Sequence, residues 1–185
     1  MRTFIAIDLA PPIKDELSNF IQKLAAISSN IKWVKRNGMH LTLKFLGEIE
    51  EDKLDEIKSC LSEISKDHAS FSLQLKGTGT FPPGKKKPRV LWIGIEENKK
   101  LIILQSDIEK KLSKLGFLPE KRLFHPHLTL GRVKIGSQLG KIMAYMEKNR
   151  EKSFGQMEVK KITFFRSILK PTGAEYQALA EFELS

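Results

Sequence analysis

Cysteine is nearly missing from this 185-residue chain: Cys60 stands alone. That excludes an intramolecular disulfide and any cysteine-rich zinc site, and it fits a reducing compartment. Long apolar runs are missing too. The opening Phe4-Ile5-Ala6-Ile7 is cut off by Asp8, too soon for a secretory signal, and nothing approaches the roughly 18 apolar residues of a membrane span. A soluble cytoplasmic protein without a membrane partner is expected. Acidic side chains are scarce relative to basic ones, 22 against 32, which leaves a net charge of +10. A field of that sign concentrates polyanions, so nucleic acid is the first partner to consider, although surplus solvated lysines give the same balance. Low-complexity stretches are absent. The one charge run, Lys85-Lys86-Lys87 with Arg89, lies in a Pro-Gly loop and reads as a solvated loop or, alternatively, as a phosphate contact.

What is present suffices for an ordinary core, with 41% hydrophobic and 29% charged residues. The length predicts one domain over residues 1–185, built as two lobes. Short strands are expected at Phe4 to Ile7, Ile31 to Val34, His40 to Leu46, Phe71 to Leu75, Val90 to Ile95, His127 to Leu130, Val159 to Ile168 and Tyr176 to Leu184. Helical spacing appears after Pro11-Pro12, from Leu54 to Ile64, from Leu101 to Leu115 and around Ile142 to Met146. Strands and helices mix without regular βαβ alternation, which predicts an α+β fold with antiparallel sheets.

His-Leu-Thr-Leu occurs twice, at 40–43 and 127–130, close to one copy per half of the chain. Each copy follows a turn and precedes a helix, so the setting repeats with the letters and implies two pseudo-symmetric lobes. Strand side chains alternate, so His40 shares a face with Thr42, and His127 with Thr129, while the leucines face the core. A single copy reads most simply as a half-buried strand histidine. Two copies, holding half of the four histidines, point instead to two imidazoles converging on one cleft.

Two proton carriers on opposite sides of a small anion suit in-line displacement at phosphorus, one taking a proton from the attacking oxygen and the other giving one to the leaving oxygen. Surrounding positive charge favours the neutral imidazole, and a bound phosphodiester favours the charged one. The threonines would hydrogen-bond the non-bridging oxygens, so neither metal nor cofactor is required. The near two-fold leaves open which histidine is acid and which is base.

With these motifs the chain resembles the 2H phosphoesterase superfamily, and within it the RNA 2′,3′-cyclic phosphodiesterase branch, also called 2′-5′ RNA ligase-like. The likeness runs through Phe4-Ile5-Ala6-Ile7-Asp8-Leu9, His40 to Glu48, Phe81-Pro82, Arg89 to Trp92 and Pro126 to Arg132. It implies a bilobal α+β domain, with antiparallel sheets facing a central cleft and helices outside. It also implies hydrolysis of RNA 2′,3′-cyclic phosphate ends, on tRNA fragments or nucleotides, to 2′-phosphomonoesters. His40 would be the proton donor and His127 the proton acceptor; reversible 2′-5′ RNA ligation by the same histidines would be a secondary activity.

Arg132 matches an arginine that follows the second motif in that branch. Its odd offset from His127 points it out of the cleft unless a bulge near Gly131 redirects it. Lys44, two beyond Thr42, is expected on the cleft rim as an RNA contact, with Lys85, Lys86, Lys87 and Arg89 as further contacts. His125-Pro126-His127 lacks the neighbouring carboxylates of a metal site, which leaves His125 at the cleft edge; His68 is expected to be solvated. Two other functions fit the same residues: an RNA-end-binding module without catalysis, and a phosphodiesterase for small cyclic nucleotides. A monomer is expected.

Overall fold

The computed structural model describes all residues except 29, 85, 86, 135–138 and 172. The first apolar run is strand β1 (Arg2–Asp8). Pro11 and Pro12, tolerated in a first turn where no N–H bond is lost, open helix α1 (Pro11–Ile27). Strand β2 (Ile31–Trp33) and a 3-10 turn at Arg36–Gly38 lead into β3 (His40–Glu48) and helix α2 (Leu54–Lys66). The second half begins with β4 (Phe71–Phe81) and then runs β5 (Val90–Ile95), helix α3 (Lys99–Ser113), β6 (His127–Val133) and helix α4 (Gly140–Lys148), so that strand, helix, motif strand and helix recur, without an equivalent of β2 among the described residues. Strands β7 (Ser153–Val159), β8 (Lys161–Lys170) and β9 (Gly173–Glu183) complete the chain.

The strands form two antiparallel sheets, as expected. The first has the order β3-β1-β8-β9 and the second β2-β6-β5-β4-β7. In each, the strand carrying His-Leu-Thr-Leu pairs with the apolar strand that precedes it across a helix, β3 with β1 and β6 with β5. The second sheet departs from this symmetry, because β2 adds an edge strand outside β6.

The helices cross over. Helix α1 leaves the first sheet and packs on the second, against β7 and α4, where Phe20 meets Phe154 edge-on at 4.9 Å and Tyr145 at 5.6 Å. Helix α3 leaves the second sheet and packs under β3 of the first, beside α2. Their apolar stripes, Ile13, Leu17, Phe20 and Leu24 on α1 and Leu101, Leu104, Ile108 and Leu112 on α3, are fully buried in one continuous core.

Two elements differ from the sequence reading. β4 does not stop at Gly77 but bends there and runs on to Phe81. Gly77 has φ +79°, and a Cβ on it would lie 2.6 Å from the Arg150 carbonyl oxygen, so only glycine carries the strand past that point. The apolar segment ending at Ile168 is also two strands. Val159 pairs with Phe71 in the second sheet and Lys161 with Glu183 in the first, so Lys160 alone crosses between sheets.

Candidate active site

Directly opposite residues on antiparallel strands share a face. Along β3, His40 lies opposite Asp8, Thr42 opposite Ala6 and Phe45 opposite Phe4, while Leu41 and Lys44 lie opposite Ile7 and Ile5. Leu43 is unpaired, the extra residue of a β-bulge. The alternation therefore inverts after Thr42, and the face carrying His40 and Thr42 continues to Phe45. On β6 the same device recurs. His127 lies opposite Gly94, Thr129 opposite Trp92 and Arg132 opposite Val90, with Leu130 as the unpaired residue. The second bulge puts Arg132 on the face of His127 and Thr129. Phe45 and Arg132, each five residues beyond its histidine, are thus equivalent positions of the two lobes, and β3 and β6 approach within 8 Å between Cα atoms.

Aromatic rings enclose both imidazoles. His40 packs on Phe4 (4.7 Å between centroids) and meets Tyr176 edge-on at 4.9 Å. His127 meets Phe81 edge-on at 4.9 Å and leans on Trp92 at 6.3 Å. The Nδ1 of His127 lies 2.7 Å from the His125 carbonyl oxygen. A carbonyl only accepts, so Nδ1 carries the hydrogen and Nε2 is left to exchange protons. His40 has a matching bond to the backbone of Gly38, also two residues back.

Burial pushes the His40 pKa down to about 4; the Lys14 charge adds to the fall, and Asp8 and the Gly38 backbone oppose it. Burial likewise lowers His127, opposed by the His125 carbonyl and reinforced by the charges of His125 and Arg132. Both rings are neutral at pH 7 in the free protein. The sequence reading placed the cause in positive surroundings; exclusion from water leads, and the cations come second.

Lys44 is not on the cleft rim. The Leu43 bulge turns it to the helix side, where it is 4% exposed. Its Nζ lies 2.5 Å from a Glu109 carboxylate oxygen on α3 and donates to the Leu118 carbonyl at 3.0 Å. His68 is not solvated: its Nε2 lies 3.0 Å from Asp107, with the ring mostly covered. His125 is exposed and packs its ring against Phe81 and Trp92. Lys87 and Arg89 are exposed at the end of the second sheet, where the Arg89 carbonyl accepts from the N–H of Val133. Lys85 and Lys86 lie outside the described residues. Among the described residues no three His, Cys, Asp or Glu side chains converge as a metal site would, and no helix is long and apolar enough to cross a membrane.

Sequence reasoning singled out neither Asp8, which lies opposite His40, nor Phe45, which shares its face. Phe45 had a signal: it stands at the same offset from His40 as Arg132 from His127. Asp8 enters through strand register, for which one sequence offers no direct cue.

Two lobes that each present a histidine and a threonine at matched positions define a 2H phosphoesterase. Comparison with known proteins gives the same class. The family described as LigT-like phosphoesterase matches twice, over residues 7–92 and 93–176. A protein named RNA 2′,3′-cyclic phosphodiesterase from Archaeoglobus fulgidus is 39% identical over 99% of this chain and 100% of its own length. One of the same name from Methanocaldococcus jannaschii is 38% identical over 98% and 100%. A crystal structure of a Thermus thermophilus protein superposes with a TM-score of 0.85 at 28% identity, covering 100% of this chain and 98% of that one. The chain belongs to the LigT-like phosphoesterase family, whose class is the cyclic phosphodiesterases.

Proposed function

We propose that this protein opens the 2′,3′-cyclic phosphate at an RNA end with water, leaving a 2′-phosphomonoester, by proton transfer between two histidines and without a metal or cofactor. The observation that carries the reading is the matched pair of strands, each with a histidine tied back two residues, a threonine two residues on, and a bulge that keeps the face continuous. The names of the relatives support RNA as the substrate.

The roles follow the family resemblance, with His40 as proton donor and His127 as proton acceptor; Asp8, opposite His40, favours its imidazolium and Lys14, paired with Asp8 at 2.7 Å, opposes it, while Arg132 disfavours a proton on His127. A bound phosphodiester, which is anionic, raises both rings, and His40, as the donor, holds the proton. His127 Nε2 then takes a proton from water as the water oxygen bonds to phosphorus. The bond from phosphorus to the ribose O3′ breaks, and His40 gives its proton to that oxygen. Thr42 and Thr129 donate hydroxyl hydrogens to the non-bridging oxygens, and the guanidinium of Arg132 neutralises the charge gathering there. Phe45, 68% exposed on the His40 face, offers its ring to the terminal base, a stacking mode that tolerates any base. Ligation through a 2′-5′ linkage is the same displacement with a ribose 5′-hydroxyl in the place of water, the P–O3′ bond breaking as before, and its reversal cleaves the linkage and restores the cyclic phosphate. The two lobes act as one domain and the protein as a monomer in the cytoplasm, with Lys87 and Arg89 as outlying RNA contacts.

The test is incubation with a short RNA ending in a 2′,3′-cyclic phosphate, with and without a chelator, followed by end-group analysis. The expected product is a 2′-phosphate formed at the same rate with chelator, and His40→Ala and His127→Ala each lower kcat by about 10² or more. Normal turnover in either variant removes that histidine from the chemistry, and a 3′-phosphate product overturns the assigned leaving group.

A further inference from the structure

The second sheet carries one strand with no counterpart in the first. β2 runs along the outer edge of β6, and its register sets Lys32 opposite Arg132. The pair therefore shares a face, which through β5 is that of Thr129 and His127. Both side chains are exposed, and among the described residues neither forms an ion pair with a carboxylate. Like charges directly opposite on neighbouring strands destabilise a sheet. The edge position lets Lys32 spread away from Arg132, and an anion between or beside them removes the penalty. The strand is held firmly in this register. Ile31 and Trp33 pack over Gly131, where a Cβ would come within 2.7 Å of Ile31 and 2.8 Å of Trp33, and Val34 donates its N–H to the Leu130 carbonyl at 2.8 Å. Among the described residues nothing comparable flanks β3, which is itself the edge of its sheet and has Phe45 where β6 has Arg132.

We propose that Lys32 forms a second phosphate subsite, which takes the internucleotide phosphate just upstream of the terminal nucleotide while Arg132 takes the reacting one. This rests on the proposed function and deepens it. The substrate class is then an oligonucleotide rather than a free nucleotide, and the chain runs off the second lobe, across β2. A mononucleoside cyclic phosphate fills only the Arg132 position and leaves the Lys32 charge unanswered.

Two measurements on the full-length protein test this. In the first, kcat/KM is determined for a dinucleotide ending in a 2′,3′-cyclic phosphate and for the mononucleoside 2′,3′-cyclic phosphate of the same base. Lys32→Gln is expected to lower the ratio of the two by roughly tenfold, the worth of one charged phosphate contact, and Lys32→Arg to restore most of it. In the second, binding of a dinucleotide bearing a terminal 2′-phosphate is followed against salt. Lys32→Gln is expected to reduce the slope of log K against log salt by about 0.7, one phosphate contact on a single strand. If the ratio and the slope both stay at the wild-type value, or if both substrates weaken equally, Lys32 is not a separate subsite and the inference falls. The binding measurement needs no turnover. A protein that binds the dinucleotide through Lys32 but hydrolyses nothing overturns the proposed function and leaves the subsite standing, whereas hydrolysis with an unchanged ratio and slope does the reverse.

Discussion

An imidazole enclosed by Phe4, Phe165 and Tyr176 resists protonation because its cation would lose water and gain little in return. His40 is held at about pKa 4, against about 6.5 in an unfolded chain. Between those values the unfolded state binds more protons than the folded one, so stability is complete above about pH 6.5 and is lost as pH falls toward 4. The difference corresponds to about 3 kcal/mol for this group, and His127 acts in the same direction. Urea unfolding at pH 7 and pH 5 should show wild type losing more stability than His40→Asn; equal losses would mean that the ring is not shielded as described. The kinetics carry a second signature. The bound phosphodiester raises both histidines, so the pH profile of kcat is expected to lie to the alkaline side of that of kcat/KM, which reports the free enzyme. Coincident profiles would show that substrate does not protonate its own acid. The two histidines and their threonines were legible in the sequence, because a tetrapeptide repeated at half-chain spacing is a strong signal. The cause of their pKa values was not, since Phe4, Phe165 and Tyr176 reach His40 from three different strands.

At the scale of the element, one inserted residue in each motif strand decides what faces the cleft. The bulge at Leu130 brings Arg132 in, and that at Leu43 takes Lys44 out. A strictly alternating His-Leu-Thr-Leu-Lys gives no hint of a bulge, which is why the sequence placed Lys44 beside the substrate; for Arg132 the odd offset and Gly131 were a hint. Turned inward, Lys44 becomes a clamp. It joins β3 to Glu109 on α3 and to the Leu118 carbonyl, and Glu109 also accepts from the N–H of Glu120 at 3.3 Å. The segment so gripped leads to His125 and His127, so one ion pair ties the first motif to the approach of the second. Lys44→Ala or Glu109→Ala alone should cost about 3–5 kcal/mol in urea unfolding, because each strands a buried charge, whereas Lys44→Met with Glu109→Leu should cost far less than the sum. Additive losses would show that the two do not act as a pair.

Across the whole molecule, the repeat suggests two halves, but the contacts do not divide that way. The first sheet takes β1 and β3 from the front of the chain and β8 and β9 from its end, and each crossover helix is buried against the sheet it did not come from. The α+β class, the antiparallel sheets and all four helices could be read from periodicity. The exchange of helices could not, because an apolar stripe says that a helix is covered and is silent about what covers it. A fragment of residues 1–92 is therefore expected to show no cooperative unfolding, and the full chain to show one transition, with near-ultraviolet and far-ultraviolet circular dichroism sharing a midpoint. Separate midpoints for the two signals would mean that the lobes melt independently. The crossed helices have a mechanical corollary. Prising the lobes apart would have to peel α1 and α3 from their hosts at once, so the two motif strands are held like the arms of a fixed caliper rather than a jaw.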